Sequence, residues 1–223
     1  MVTSEKENAL RQAMVTIIAA HANLCADEIG KDRLSERVLA AIGRVPRHQF
    51  VPAIVQELAY QDMPLPIGCG KTISQPFMVA LMTDLLELEE DDRVLEVGTG
   101  LGYQAAVLAE LCDEVFSVEI ISELAAEAER RLRAAGYAKM ELRVGDGSRG
   151  WPEHAPYDKI IVTAAPEQIP SALLDQLKPG GRMVIPAVVE DGQRLLVIEK
   201  GEDGRVRTKE LISVLFSVLI SSH

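Results

Sequence analysis

Aromatic residues are scarce in this chain. Phe, Trp and Tyr make up 4 % of its 223 residues, so its core is built mostly from Leu, Val, Ile and Ala. The three cysteines, Cys25, Cys69 and Cys112, are scattered and odd in number. That excludes a disulfide framework and fits a reduced, cytoplasmic compartment. No Cys or His pair has zinc-ligand spacing, so no metal is expected. Positive charge is also short: 23 Lys and Arg stand against 34 Asp and Glu, a net charge of −11. Nonspecific nucleic-acid binding needs a basic surface, and no cluster of Lys and Arg interleaved with aromatics supplies one. Long hydrophobic runs are missing as well. "ISVLFSVLI" at 212–220 is far too short to cross a bilayer as a helix and reads as a buried strand. The start of the chain, with Glu5, Lys6 and Glu7, is no secretory signal. Neither a nucleic acid nor a membrane is expected as a partner.

What is present fits an ordinary globular protein: 48 % hydrophobic and 26 % charged residues. The length allows one sizeable core, and a single domain over 1–223 is expected, with a monomer as the simplest assembly. From Arg93 onward strands and helices alternate. "RVLEV" (93–97), "EVFSVEI" (114–120), "MELRVGD" (140–146) and "DKIIVTAA" (158–165) read as strands. "YQAAVLAEL" (103–111) reads as a helix, and Ser122 and Ser171 are placed to cap two more. Lys178-Pro179-Gly180-Gly181 reads as a turn before "RMVIPA" (182–187), "RLLVIEK" (194–200) and a last strand, "LISVLFSVLI" (211–220). This alternation predicts an α/β fold with a doubly wound, mostly parallel sheet. Residues 1–88 read as mainly helical, with turns at "VPRHQFVP" (45–52) and "MPLPIGCG" (63–70), and are expected to pack over the 89–223 core as an elaboration.

"VLEVGTGLGY" (94–103) is a strand that stops in glycines and opens a helix. Glycine lets backbone approach a ligand, and a helix N-terminus offers N–H groups to an anion. Gly98, Gly100 and Gly102 have the wrong spacing for a dinucleotide fingerprint, because Tyr103 stands where that motif needs its last glycine. Glu119 ends the next strand, 21 residues after Gly98 (119 − 98), where a carboxylate can accept both hydroxyls of a ribose. After the third strand come Asp146, a candidate acceptor for an exocyclic amine, and Gly147, which leaves room for a flat ring. By itself Asp-Gly is only a turn signal. Three such features at successive strand ends make one pocket, and they suggest S-adenosylmethionine. Glu96 either contacts the ligand's charged end or fixes the loop by hydrogen bonds.

"KTISQPFMVAL" (71–81) raises a separate question. Ser74 either caps the helix that follows Pro76 or holds a ligand. Met78 and Met82, one helical turn apart, read as core residues.

Taken together, "LPIGCGKTISQPFMVALMTDLLEL", "VLEVGTGLGYQAAVLAEL", "GDGSRGW", "PYDKIIVTAAPEQIP" and "LLDQLKPGGRMVIP" resemble the protein-L-isoaspartate (D-aspartate) O-methyltransferases, as does "VPRHQFVP". The likeness runs from about Val38 to Pro186, and Gly-x-Thr-Ile-Ser-x-Pro at 70–76 is its most specific part. The resemblance implies a seven-stranded class I methyltransferase fold, S-adenosyl-L-methionine as methyl donor and L-isoaspartyl residues of damaged proteins as acceptors. It further implies Ser74 as the active-site serine. Cofactor contacts are implied at Thr72, Ile73, Gly98, Leu101, Glu119, Ile120, Asp146 and Gly147, with Glu96, Thr99 and Gly100 of the loop beside them. Such a reaction calls for no general base, because the acceptor carboxylate is already ionised at neutral pH. The family's last strand reads Val-Arg-Phe-Val-Pro-Leu, whereas this chain has Leu215, Ser217 and Val218 in place of Arg, Val and Pro. Those differences are expected to affect the substrate side and to leave the cofactor site untouched. A methyltransferase of a small carboxylate and a noncatalytic binding module are the alternative readings.

Overall fold

Leu95 pairs with Phe116 on one side and with Ile160 on the other, both in parallel register. These apolar runs lie in mid-sheet, where both faces of a strand are covered. The computed structural model describes residues 5–221. The chain opens with α1 (Glu5–Leu24), α2 (Ala26–Ile29) and α3 (Glu36–Arg44), then β1 (Leu65–Gly68), β2 (Lys71–Ile73) and α4 (Pro76–Leu85). The alternating part follows as β3 (Arg93–Val97), α5 (Tyr103–Ala109), β4 (Glu114–Glu119), α6 (Ser122–Ala135), β5 (Glu141–Val144) and β6 (Tyr157–Val162). It ends in α7 (Ser171–Gln176), β7 (Leu177–Val189), β8 (Gly192–Lys200) and β9 (Val206–Ser213).

The seven-stranded sheet has the order β5-β4-β3-β6-β7-β8-β9. Strands β3 to β7 run parallel, while β8 is antiparallel to both β7 and β9. The expected doubly wound α/β sheet is therefore present. Alternate residues of each strand serve opposite faces. Val94, Val115, Ile161 and Val184 join a core with α1, α3, α4, α5 and α6. Leu95, Phe116, Ile160 and Met183 join a second core with Leu173 of α7. The order of strands reverses between β3 and β6, the switch point at which ligands of such sheets bind.

Several local expectations are corrected. Residues 63–70 are not merely a turn: β1 lies within them and pairs with β2 in a separate two-stranded antiparallel sheet. Ser122 and Ser171 are the first residues inside α6 and α7, whose caps are Ile121 and Pro170 without side-chain bonds. At α6 the carboxylate of Glu119 takes the N–H of Ile121 instead, at 3.0 Å. The Lys178–Gly181 turn is a looped-out part of β7, where pairing jumps from Tyr157↔Leu177 to Lys159↔Arg182.

The largest correction concerns the C-terminal end. The last strand is the charged run "VRTKELIS" at 206–213, and the apolar run after it is not a strand. Charged side chains suit an edge strand, because they discourage pairing with another chain. Residues 214–220 instead cross the carboxyl ends of the strands as a strap. Gln193 donates to Phe216 O and accepts from Phe216 N at 3.1 and 2.7 Å, while Ala165 accepts from Leu219 N at 2.9 Å and donates to Ser217 O at 2.8 Å.

Candidate active site

Two clefts open at the carboxyl ends of the strands. The first, about 570 Å³, is lined by Gly98, Gly100, Glu119, Ile120 and Gly147, by Ile67, Lys71 and Thr72 of the hairpin, and by Ser217 to Ile220 of the strap. The second, about 1010 Å³, is lined by Pro64, Thr72, Ser74, Gln75, Met78, Thr163 and residues 213–217. Thr72, Thr163 and Ser217 line both. The clefts therefore meet at three hydroxyl side chains drawn from distant parts of the chain.

The glycine loop follows from close packing at the end of β3. Gly98 has φ +98°, and a Cβ there would fall 2.3 Å from Thr163 Oγ1. Thr163 in turn donates its hydroxyl to Gly98 O at 2.7 Å. A Cβ on Gly147 would likewise lie 2.3 Å from Val97 Cγ1, so glycine is required there by strand-end packing as well as by any ligand. Three loop donors are committed to protein: Gly98 N to Val118 O, Gly100 N to Glu119 Oε2 and Gly102 N to Thr99 O. No described residue accepts the N–H groups of Thr99 and Leu101, although both residues are buried and neither lines the cleft.

Glu119 is 6 % exposed and lines the first cleft. Its oxygens accept Gly100 N at 2.8 Å and Ile121 N at 3.0 Å. An ionised carboxylate has about four acceptor positions, so it holds the loop and still has lone pairs for ligand hydroxyls. Glu96 sits elsewhere. It is fully buried, is absent from the cleft wall, and takes a hydrogen bond from Ser117. Ser117 also bonds the Thr99 hydroxyl at 2.6 Å. Glu96 and Thr99 thus form one network behind the loop, and the loop-fixing alternative is the one this geometry favours. Burial, with Glu119 nearby, pushes the Glu96 carboxyl up to about 8 against the opposing bond from Ser117. Its Oε1 has no partner among the described residues.

The other expected residues divide in the same way. Thr72, Ile120 and Gly147 face the cleft; Ile73 and Leu101 anchor their segments in the core. Asp146 caps the turn after β5, its Oδ1 accepting the N–H and hydroxyl of Ser148 at 2.9 and 2.6 Å. Met82 is core as expected, and Met78 packs against the same core while also lining the second cleft.

Ser74 is not the cap of α4. The cap position is Gln75, whose side chain makes no capping bond to the helix, and Pro76 follows it. The N–H of Phe77 is taken by Asp62 Oδ1 at 2.8 Å. The Ser74 hydroxyl bonds no described residue and faces the second cleft, while its carbonyl accepts from Arg47 Nη2 at 2.9 Å. Arg47 is fully buried, also donates to Ala59 O and Met63 O, and lies 5.5 Å from the Tyr103 ring centroid. Burial lowers its pKa from the ordinary value, opposed by Tyr103, Asp62 and Tyr60. Tyr103, in the place of a third glycine, thereby ties the glycine-loop helix to the Ser74 segment. Sequence reasoning missed Arg47, Asp62, Gln75 and Thr163, and expected Ser217 on the substrate side alone, whereas it lines both clefts. Only Arg47 carried a signal, as the charged residue of the proline-bounded "VPRHQFVP".

Among the described residues no group of three His, Cys, Asp or Glu side chains is placed to hold a metal. Nor is any helix long and apolar enough to cross a membrane.

A sequence model described as protein-L-isoaspartate(D-aspartate) O-methyltransferase matches residues 20–223. The chain belongs to that family. It is 51 % identical over 218 residues to protein-L-isoaspartate O-methyltransferase 1 of Polaromonas sp. (strain JS666), covering 98 % of this chain and 92 % of that protein. Protein-L-isoaspartate O-methyltransferase 2 of Syntrophobacter fumaroxidans is 52 % identical, over 96 % of this chain and 87 % of its own length. Among solved structures, a protein-L-isoaspartate O-methyltransferase at 27 % identity superposes with a TM-score of 0.81, over 93 % of this chain and 65 % of the other. A putative member from Plasmodium falciparum, solved with S-adenosyl-L-homocysteine, shares the fold at 21 % identity and TM-score 0.81, over 95 % of this chain and 99 % of its own. Within the family frame, the departures at Ser217 and Val218 are not confined to the substrate side, because both residues also line the cleft of Gly98 and Glu119.

Proposed function

We propose that this protein is an S-adenosylmethionine-dependent methyltransferase that esterifies the free carboxylate of L-isoaspartyl residues in damaged polypeptides. One observation carries the reading: in a chain of this family, a cleft with the Glu119 carboxylate and the glycine loop opens into a second cleft holding the unbonded Ser74 hydroxyl. When bound, S-adenosylmethionine supplies a methyl group on an electrophilic sulfonium. The residues present suit it: Glu119 has acceptor positions for ribose hydroxyls.

In the second cleft Ser74 donates a hydrogen bond to the acceptor carboxylate. That carboxylate is the nucleophile and is ionised near neutral pH, since free carboxyls titrate at roughly 3–4, so no side chain needs to remove a proton. Thr72, Thr163 and Ser217 border the passage through which the two reactants meet. The strap over both clefts limits water access, and holding the reactants in line supplies much of the acceleration. Esterification makes the carbonyl electrophilic; the following backbone nitrogen attacks it, methanol leaves as the succinimide closes, and water then reopens the ring in part to normal aspartate.

The same reading places the protein in the cytoplasm, as a monomer of one domain. The free cysteines fit that compartment, and the core that joins the N-terminal helices to the sheet fits one domain. Released methanol, measured for an isoaspartyl peptide and its normal-aspartyl twin, tests the activity. Turnover of the first and not the second is the expected result. Binding of the methyl donor without release from either leaves the noncatalytic alternative.

A further inference from the structure

Gln75 stands beside Ser74 in the second cleft and has no task in the reaction as described. Its Nε2 donates to Asp62 Oδ2 at 3.0 Å. Asp62 is held in turn: its Oδ1 accepts Phe77 N at 2.8 Å, and His21 Nδ1 lies 3.0 Å from Oδ2. The His21 ring stacks on Phe77 with centroids 4.0 Å apart. An ionised carboxylate only accepts hydrogen bonds, so the NH₂ end of Gln75 must face Asp62. The opposite end of the amide, a carbonyl oxygen, is therefore directed away from Asp62, and no described residue donates to it. A fixed acceptor thus stands next to a free hydroxyl donor. Among the described residues no charged side chain lines this cleft, so neutral groups recognise the acceptor.

We propose that Gln75 Oε1 accepts the N–H borne by the same carbon as the target carboxylate, and so makes Gln75 a specificity residue for isoaspartate. The inference rests on the repair reading given above. Its chemical basis is connectivity. In an isoaspartyl residue the free carboxylate and the amide nitrogen share one carbon. In a normal aspartyl residue the free carboxylate is one carbon farther from that nitrogen. Ser74 as donor and Gln75 as acceptor are adjacent in the chain, complementary to a carboxylate and an N–H that are also adjacent. Gln75 is unsuited to holding the carboxylate itself, because its carbonyl oxygen repels it. Asp62 is the positioning residue that prevents the amide from flipping.

The test uses two isoaspartyl peptides that differ only by a methyl group on the isoaspartyl nitrogen, with the native protein and Gln75→Met. Native protein should show a KM roughly tenfold higher for the N-methylated peptide, the scale of one buried hydrogen bond left unmade, with kcat less affected. Gln75→Met should raise KM for the parent peptide and no longer distinguish the two. Asp62→Asn, which retains an acceptor for Phe77 N but also permits the flipped amide, should weaken the distinction without a large fall in melting temperature. An N-methyl effect equal in native protein and Gln75→Met overturns the inference and leaves the repair reading standing. No turnover of the parent peptide by native protein overturns the repair reading, and the inference with it.

Discussion

Asp62 Oδ1 accepts the N–H of Phe77 at 2.8 Å, so the helix behind the reactive loop is capped from outside its own sequence. Ser74 is thereby released from a structural duty that its position suggests.

Ser74→Ala should lower kcat/KM for an isoaspartyl peptide by one to two decades, because a hydrogen bond to a charged group is worth ~1.5–3 kcal/mol. Its melting temperature should stay near that of the native protein. Asp62→Ala should instead destabilise the fold by about 1 kcal/mol through the lost cap. Melting curves and rates taken on the same samples separate the two, and a Ser74→Ala protein that melts early but turns over normally would reverse the assignment.

Glu119→Ala should weaken S-adenosylmethionine binding by roughly one to two decades, since its carboxylate both meets the cleft and holds Gly100 N and Ile121 N. Calorimetry with the methyl donor and with its demethylated product reads this directly. Unchanged affinity for both would remove Glu119 from the site.

Glu96 gives a stability signature in pH. Its carboxyl is raised to about 8 in the folded protein, above its unfolded value of ~4.3. The folded state therefore binds the extra proton between those values. The associated stability is present in full below the unfolded pKa and is lost as pH rises toward 8, at most about 1.4 kcal/mol per pH unit. Glu96→Gln should flatten that part of the profile and melt higher than the native protein at pH 8–9. Parallel melting curves for the two proteins across pH 5–9 check it; identical slopes would show that Glu96 is not the group responsible.

Leu215 is 93 % exposed and lines the acceptor cleft. Leu215→Arg brings a guanidinium to a wall that has no charged side chain among the described residues, and should lower KM for isoaspartyl peptides several-fold at low salt, with the gain shrinking as salt is added. The melting temperature should hardly move, since exposed substitutions usually fall within ~0.5 kcal/mol. Steady-state kinetics at two ionic strengths decide it, and an unchanged KM would show that charge does not limit peptide binding.

The amino-acid sequence alone determined the sheet from β3 to β8, the glycine loop and the acidic residue that follows it. These rest on short-range chemistry: uninterrupted apolar runs for covered strands, glycine where backbone must pack closely, and a carboxylate at a strand end. The tertiary structure decided what those rules do not reach. The apolarity of 212–220 suits a buried strand and a cleft wall equally, and only the anchoring to Gln193 and Ala165 makes it a strap. The charged β9 has no alternating apolar face to announce it, because its burial is confined to Leu211 and Ile212 near its end. The meeting of Thr72, Thr163 and Ser217 and the hold of Asp62 on Phe77 and Gln75 join residues from segments far apart in the chain. Local propensity carries no information about such contacts, because they form only when the hairpin, the sheet and the strap have packed together.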